Sequence, residues 1–376
     1  MTARIVLFGA TGFTGELTAR ALVARGRTPV LAGRSPERLA TLARTLGNLE
    51  TAIADVARPD SVRALVGTGD VLISTVGPFV RYGDAAVRAA VDAGAHYLDS
   101  TGEAPFIRTV FERHGPAAER AGCALLTAFG YDWVPGNLAG ALALRDAGPD
   151  ARRVDIGYFL GGPVGSGSAS GGPRASAASG GTRASAAGML LEPAFAWRGH
   201  RLVTEPSGRR VRTFEVDGQS LPALSVGGSE HFALPRHHPE LAEVGVHLGW
   251  FGTATRAVQG ASYALSTAAR LPGVRRGLQI AAGRLVPGST GGPDAASRAT
   301  TRSTILAVTT AAGGSRLATA RLEGSNGYDF TANVLAWAAE RAAGGGLRGC
   351  GALGPVDGFG LDELERGAAE AGLSRV

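Results

Sequence analysis

The chain contains no lysine: all 38 of its Lys+Arg residues are arginine. That absence excludes a Schiff-base lysine, a phosphate-loop lysine and the Tyr-x-x-x-Lys pair of short-chain dehydrogenases. Cysteine is nearly as scarce. Cys123 and Cys350 are the only two, too few for a disulfide framework or a thiolate metal cluster, and they point to a reducing, cytoplasmic setting. Aromatic residues make up only 6%. No apolar run reaches the roughly 20 residues of a membrane span. The first apolar run is broken by glycine and threonine after Phe8, unlike a signal peptide. The net charge of +6 is carried by scattered arginines, not by a basic tail. It therefore suits an anionic cofactor or substrate better than nucleic acid.

Glycine is abundant, with 57 residues in a chain of 376, a length that suggests about two domains. Its most informative placement follows the first apolar run. Ile5-Val6-Leu7-Phe8 reads as a buried strand, and Gly9-Ala10-Thr11-Gly12-Phe13-Thr14-Gly15 leads straight into a helical pattern through Leu17 and Leu22. Strand, glycine turn and helix form the entry to a dinucleotide-binding unit. Gly9 permits the turn, Gly12 lets a pyrophosphate approach, and Gly15 lets the helix lie on the strand. Thr11, Phe13 and Thr14 complete the expected cofactor-binding loop, at the positive end of the helix.

A second strand, Pro29 to Ala32, ends in Gly33-Arg34-Ser35, with Arg38 one helical turn later. An acid at this strand end takes the ribose 2′-hydroxyl of NAD, whereas a base takes the 2′-phosphate of NADP. Arg34, Ser35 and Arg38 therefore predict NADP. Strands follow at 51–55, 71–75, 96–99 and 123–129, alternating with helices, one of them over 84–93. This is an α/β pattern, a Rossmann-type doubly wound parallel sheet. Asp55 either accepts from the adenine amine or caps the helix near Pro59. Ligands lie beyond the carboxyl ends of such strands. Gly77, Pro78 and Phe79, and then Thr101 and Gly102, are thus expected along the cofactor towards its nicotinamide end.

The pattern changes near residue 150. Arg153 to Tyr158 reads as the first strand of a second domain. A Gly/Ser/Ala stretch with a tandem repeat, residues 170–178 and 179–187, follows it, readable as a flexible linker or as a cleft-lining segment. Short runs between 197 and 250, including 201–203, 211–216 and 244–250, predict a largely antiparallel sheet, and 256–286 reads as helical. Residues 304–310 and 316–323 pair across Gly313-Gly314. Residues 328–343 form an amphipathic helix with Phe330, Val334, Trp337 and Ala338 on one face, and 362–371 form the last helix.

A nicotinamide cofactor carries its own hydride, so the protein must position an acceptor and deliver a proton. With no lysine, Tyr131 and Asp132, after the sixth strand, are the first catalytic candidates, and Tyr82 is next. One of His231, His237, His238 and His247 is a further option. The adjacent His237 and His238 would point apart on a strand, and no metal-ligand spacing is present, so no metal site is expected. Arg174 and Arg183 suit a substrate carboxylate, and Arg183 with Ser185 lies where a helix would start.

Gly9 to Gly15, Gly77-Pro78-Phe79 with Tyr82-Gly83, His96 to Asp99 with Thr101-Gly102-Glu103, and Gly130-Tyr131-Asp132 with Pro135 together resemble the saccharopine dehydrogenase family. The closer likeness is to its bacterial saccharopine dehydrogenase-like oxidoreductases and trans-acting enoyl reductases. The resemblance covers residues 1–145. It implies an NADP domain over 1–150, an α+β substrate domain over 151–326, and a helical segment over 327–376 that packs back near the first domain. It further implies an NADP-dependent oxidoreductase acting on a small-molecule substrate. The readings left open are reduction of a C=N or C=C bond in a small biosynthetic metabolite, reduction of a carrier-bound enoyl or keto acyl chain, and NADP binding without turnover. No membrane-spanning segment is expected, and monomer and homodimer both stay open.

Overall fold

A computed structural model of the chain describes residues 3–161, 193–268 and 291–376. The chain divides into two compact units. Unit 1 comprises Met1–Gly102, Phe106–Val134 and Gly327–Gly372, and unit 2 comprises Glu103–Pro105, Pro135–Asn326 and Leu373–Val376. The expected boundary at residue 150 therefore falls inside unit 2, and the segment 327–372 belongs to unit 1. The tandem repeat, Arg174, Arg183 and Ser185 lie outside the described residues.

Unit 1 is built on strands β1 (Ile5–Phe8), β2 (Val30–Gly33), β3 (Thr51–Ile53), β4 (Val71–Ser74), β5 (His96–Asp99) and β6 (Ala124–Leu126), with a further short strand at Gly351–Ala352. All seven are parallel, and beyond β6 the edge is Gly351–Ala352. From that edge the order is β6-β5-β4-β1-β2-β3. This is the doubly wound order, with its switch point between β1 and β4. β1, β2 and β4 are buried along their whole length. Strands covered on both faces need unbroken apolar runs, which is why alternation is missing here.

Helices α1 (Phe13–Ala24), α2 (Pro36–Thr45), α3 (Pro59–Arg63) and α4 (Phe79–Ala93) connect the first five strands. α4 starts at Phe79, ahead of the expected Asp84. Pro78 caps it at φ −63°, an angle its ring imposes, and Gly83 lies where a Cβ would overlap the Phe106 ring. The Gly77–Pro78 peptide is cis. α5 (Ala104–Thr109) and α6 (Gly115–Ala121) precede β6. β6 stops at Leu126, short of the expected 129, because Ala128 turns the chain at φ +59°.

The helix Gly327–Ala343 lies against α1. Phe13 meets Tyr328 edge to face at 5.2 Å, and Arg25 pairs with Glu340 at 2.5 Å. Phe330, Val334, Trp337 and Ala338 are all fully buried, as their spacing predicts. Trp337 packs in a tilted arrangement at 4.7 Å on Phe359, and a Cβ at Gly367 would overlap the Trp337 ring. Removing a side chain so enclosed costs about 3–5 kcal/mol.

Unit 2 carries α7 (Val134–Ala147, from its second residue), then β7 (Arg153–Gly161), β8 (Pro193–Arg198), β9 (Arg201–Pro206), β10 (Val211–Val216), β11 (Gln219–Ser225), β12 (Glu243–Leu248), β13 (Arg302–Thr310) and β14 (Arg316–Gly324). With Leu373–Arg375 they make one sheet of nine strands. Its pairs are antiparallel except β7 with β12, which is parallel. Along β7 the faces alternate. Ile156 and Tyr158 face Gly140 and Gly136 of α7, while Phe159 joins Phe214, Val216, Leu306 and Val308 in an apolar cluster. His237 and His238 are not on a strand: Glu230–His237 is a helix, and His238 is its C-cap. Pro235 lies inside this helix, where it gives no N–H to the helical ladder. Of the predicted 256–286 helix, Thr255–Ala268 is described and helical. Among the described residues no helix is long and apolar enough to cross a membrane.

Candidate functional site

The site is built at the carboxyl ends of the unit 1 strands. After β1, Gly9 adopts φ +90°, a region that favours glycine. Its N–H donates to the Ala32 carbonyl at 2.9 Å, which ties the turn to the end of β2. A Cβ on Gly9 would lie 2.7 Å from Thr75 Oγ1, and one on Gly15 would overlap the Gly9 carbonyl oxygen. Gly12 is the N-cap of α1 and has no side chain to cap it. The first helical bond runs from Glu16 N–H to Gly12 O at 2.8 Å. The N–H groups of Thr14 and Gly15 therefore precede the helical ladder and suit an anion. Thr11 and Phe13 flank Gly12. The Phe13 ring is engaged with Tyr328, so its contribution to this loop is its backbone.

At the end of β2, Arg34 is exposed and forms no ion pair among the described residues. Ser35 is the N-cap of α2, and its side chain makes no capping bond. Arg38 reaches back across the turn, and its Nη2 donates to the Thr11 carbonyl at 2.6 Å. Arg34 and Ser35 are thus uncommitted beside the glycine loop, while Arg38 supports it. Asp55 closes the turn after β3: its Oδ1 accepts from Ala57 N–H at 2.9 Å. The N-cap of α3 is Arg58, so the capping alternative for Asp55 is not what the fold uses.

Thr75, after β4, donates from Oγ1 to Gly9 O at 3.2 Å and from its backbone N–H to Phe8 O at 2.9 Å. Gly77 and Pro78 follow, and Phe79 is buried against Phe106 at 5.6 Å. Tyr82 stands in the first turn of α4, half-buried, with the Arg81 guanidinium 5.0 Å from its ring centre.

The ends of β5 and β6 meet at Asp99, which is fully buried. Its Oδ1 accepts from Thr101 N–H at 2.9 Å and Ala128 N–H at 2.8 Å. Its Oδ2 accepts from Thr127 Oγ1 at 2.7 Å. Burial pushes its carboxyl up to about 6 against the opposing pull of these bonds. Thr101 and Gly102 are buried. Beyond Ala128, Tyr131 N–H donates to Thr331 Oγ1 at 2.9 Å, and its buried ring packs at 6.4 Å on Phe330. The next residue differs. Asp132 is partly exposed, and its carboxylate makes no hydrogen bond or ion pair among the described residues. Burial pushes it up to about 6. A carboxyl with that setting holds or releases a proton near neutral pH.

Sequence reasoning named Tyr131, Asp132, Thr101 and Gly102 but gave Asp99 and Thr331 no role. The available signal was an acid at the last position of a strand otherwise buried, where a charge survives only with partners.

In unit 2, Tyr158 donates to Glu230 at 2.8 Å and accepts from Gly136 N–H at 2.8 Å. Asp155 is buried with Arg153 at 2.5 Å and with Arg212. His231 and His247 are also buried, and burial lowers both to about 4. They are uncharged at neutral pH and poor general acids there.

Residues 5–126 match the family described as saccharopine dehydrogenase NADP binding domain. Over 140 residues the chain is 40% identical to a trans-acting enoyl reductase of Mycobacterium leprae, covering 36% of this chain and 34% of that protein. It is 39% identical over 140 residues to a trans-acting enoyl reductase of Mycobacterium tuberculosis, with the same coverage. The match thus spans about a third of the length of these curated relatives. The structure of apo saccharopine dehydrogenase (L-Glu forming) from Saccharomyces cerevisiae aligns with a TM-score of 0.59 at 15% identity, over 100% of this chain and 99% of that one. That likeness shows a shared fold.

Proposed function

We propose, from the match of residues 5–126 to the saccharopine dehydrogenase NADP binding domain, that this protein is an NADPH-dependent reductase of a C=N or C=C bond in a small biosynthetic metabolite. The observation that carries the reading is the pairing of an open glycine turn at β1 with the uncommitted Arg34 and Ser35 at β2. The residues present fit the cofactor. Thr14 and Gly15 leave backbone N–H groups, Gly12 leaves space for a pyrophosphate, and Arg34 and Ser35 suit a 2′-phosphate. Arg38 holds the turn by its bond to Thr11. Asp55 borders the adenine, and Gly77, Pro78, Phe79, Thr101 and Gly102 border the nicotinamide half.

Bound NADPH supplies the hydride. The chain supplies position and a proton. Asp132, with its carboxyl near 6, delivers the proton to the atom that gains charge as the double bond is reduced. Tyr131 holds the Asp132 backbone through its own anchor to Thr331. Tyr82, half-buried on α4, is the second donor candidate. Unit 2, with Arg183 and Ser185, selects the substrate.

A second reading is reduction of an enoyl group on a carrier-bound acyl chain. It is favoured by the identity to trans-acting enoyl reductases. NADPH oxidation should be followed with a panel of imines, enoyl thioesters and keto thioesters. Turnover of imines supports the first reading, and turnover of enoyl thioesters supports the second. Tight NADPH binding with silence on every class would mean a non-catalytic NADP-binding protein.

A further inference from the structure

We infer that Asp99 is a positioning residue for the nicotinamide half of the cofactor, acting through the two loops that follow β5 and β6. The inference rests on the reading that the strand ends of unit 1 hold NADP. An unpaired buried carboxylate is expensive, yet Asp99 is 0% exposed. It is retained because four bonds converge on one residue. Its carboxylate accepts from Thr101 N–H, Ala128 N–H and Thr127 Oγ1. Its backbone carbonyl accepts from Phe129 N–H at 2.7 Å.

The loops so joined carry Thr101 and Gly102 on one side and Gly130, Tyr131 and Asp132 on the other. Ala128 sits at φ +59° without being glycine, a conformation that is unfavourable for a residue with a Cβ. The bond from its N–H to the carboxylate offsets that cost, and a charged acceptor is about twice as strong as a neutral one. Without it the chain from Ala128 to Asp132 relaxes, and the Asp132 carboxyl moves with it. The strand order gives this edge a separate task. β5 and β6 lie on one side of β1, and β2 and β3, which carry Arg34 and Asp55, lie on the other. Loss of Asp99 should therefore disturb one half of the cofactor and spare the other.

That division supplies the test. The Kd of NADPH is measured by nicotinamide fluorescence, and that of 2′,5′-ADP, which is the adenosine half with its 2′-phosphate, by calorimetry. Asp99→Ala should weaken NADPH by about tenfold and abolish the rise in nicotinamide emission, while 2′,5′-ADP stays within about twofold. Asp99→Asn should restore most of the loss, because its amide oxygen still accepts from Thr101 and Ala128. Thr127→Val should show a smaller loss in the same direction. If Asp99→Ala does not fold, Thr127→Val decides, by whether NADPH weakens more than 2′,5′-ADP. Parallel weakening of both ligands, or of neither, overturns the inference alone. Wild-type protein that fails to bind NADPH overturns the cofactor reading and the inference with it.

Discussion

Arg38 on α2 donates from Nη2 to the carbonyl oxygen of Thr11, 2.6 Å away in the glycine turn. A residue expected to grip the 2′-phosphate is thus also a brace for the glycine loop proposed to cradle the pyrophosphate. Its neighbour Arg34 has no such second task.

The two arginines should therefore separate in a dinucleotide titration. Arg34→Ala should weaken NADPH by about tenfold, the loss of one exposed charge-assisted contact, and leave NADH unchanged. Arg38→Ala should weaken both dinucleotides, because it loosens the turn they share. Equal losses of NADPH and NADH in Arg34→Ala would remove the basis for NADP selectivity.

Gly15 tests the close approach of α1 to the turn. In Gly15→Ala the new Cβ meets the Gly9 carbonyl oxygen, backbone that cannot step aside. A loss of about 1–3 kcal/mol and of NADPH binding is expected. Gly260, inside the helix Thr255–Ala268, has no heavy atom within 4 Å of an added Cβ. Gly260→Ala should be neutral or stabilising by about 0.5–1 kcal/mol. Thermal melts of the two variants check the contrast.

Asp132 should leave its mark on pH dependence. Its carboxyl stands at about 6 in the folded protein against an ordinary 3.8. Its contribution to stability is therefore full below pH 3.8 and lost as pH rises through 6. Asp132→Asn mimics the protonated form. It should match the wild type in strong acid and exceed it by about 1 kcal/mol above neutrality, once screening is allowed for. Its turnover should fall sharply while NADPH affinity holds. Unchanged turnover would transfer the proton to another group, with Tyr82 first in line.

The buried histidines of unit 2 predict the opposite window. His231 and His247 are lowered from 6.5 to about 4. Their stabilising contribution is present above pH 6.5 and lost as pH falls through 4. Circular dichroism should show acid unfolding between those values. Replacing His247 by Gln should make that transition shallower; a transition of unchanged steepness would show that His247 does not titrate on unfolding.

What could be read without coordinates was local. The run Ile5–Phe8 and the glycines at 9, 12 and 15 announce a strand, a turn and a helix, because each depends on neighbours a few residues away. The bases at the end of β2 predict the dinucleotide for the same reason. The helix Gly327–Ala343 showed its buried face by spacing alone, though not what it would cover. The start of α4 is not legible in the sequence, because Gly83 looks like a break until Phe106 is seen filling its place. The helical placement of His237 and the C-cap at His238 are not legible either, because a short run with a proline looks alike in strand and helix.

The rest depended on partners far along the chain. Asp99 meets Thr127 and Ala128 across 28 and 29 residues, and Tyr131 meets Thr331 across 200. No periodicity encodes such pairs. A buried carboxylate and a left-handed alanine are each unfavourable alone, and both are tolerated only where folding brings them together. Strand order places β2 and β3 on one side of β1 and β5 and β6 on the other. Which carboxylate is held by bonds, at Asp99, and which stands unbonded among the described residues, at Asp132, was decided by packing.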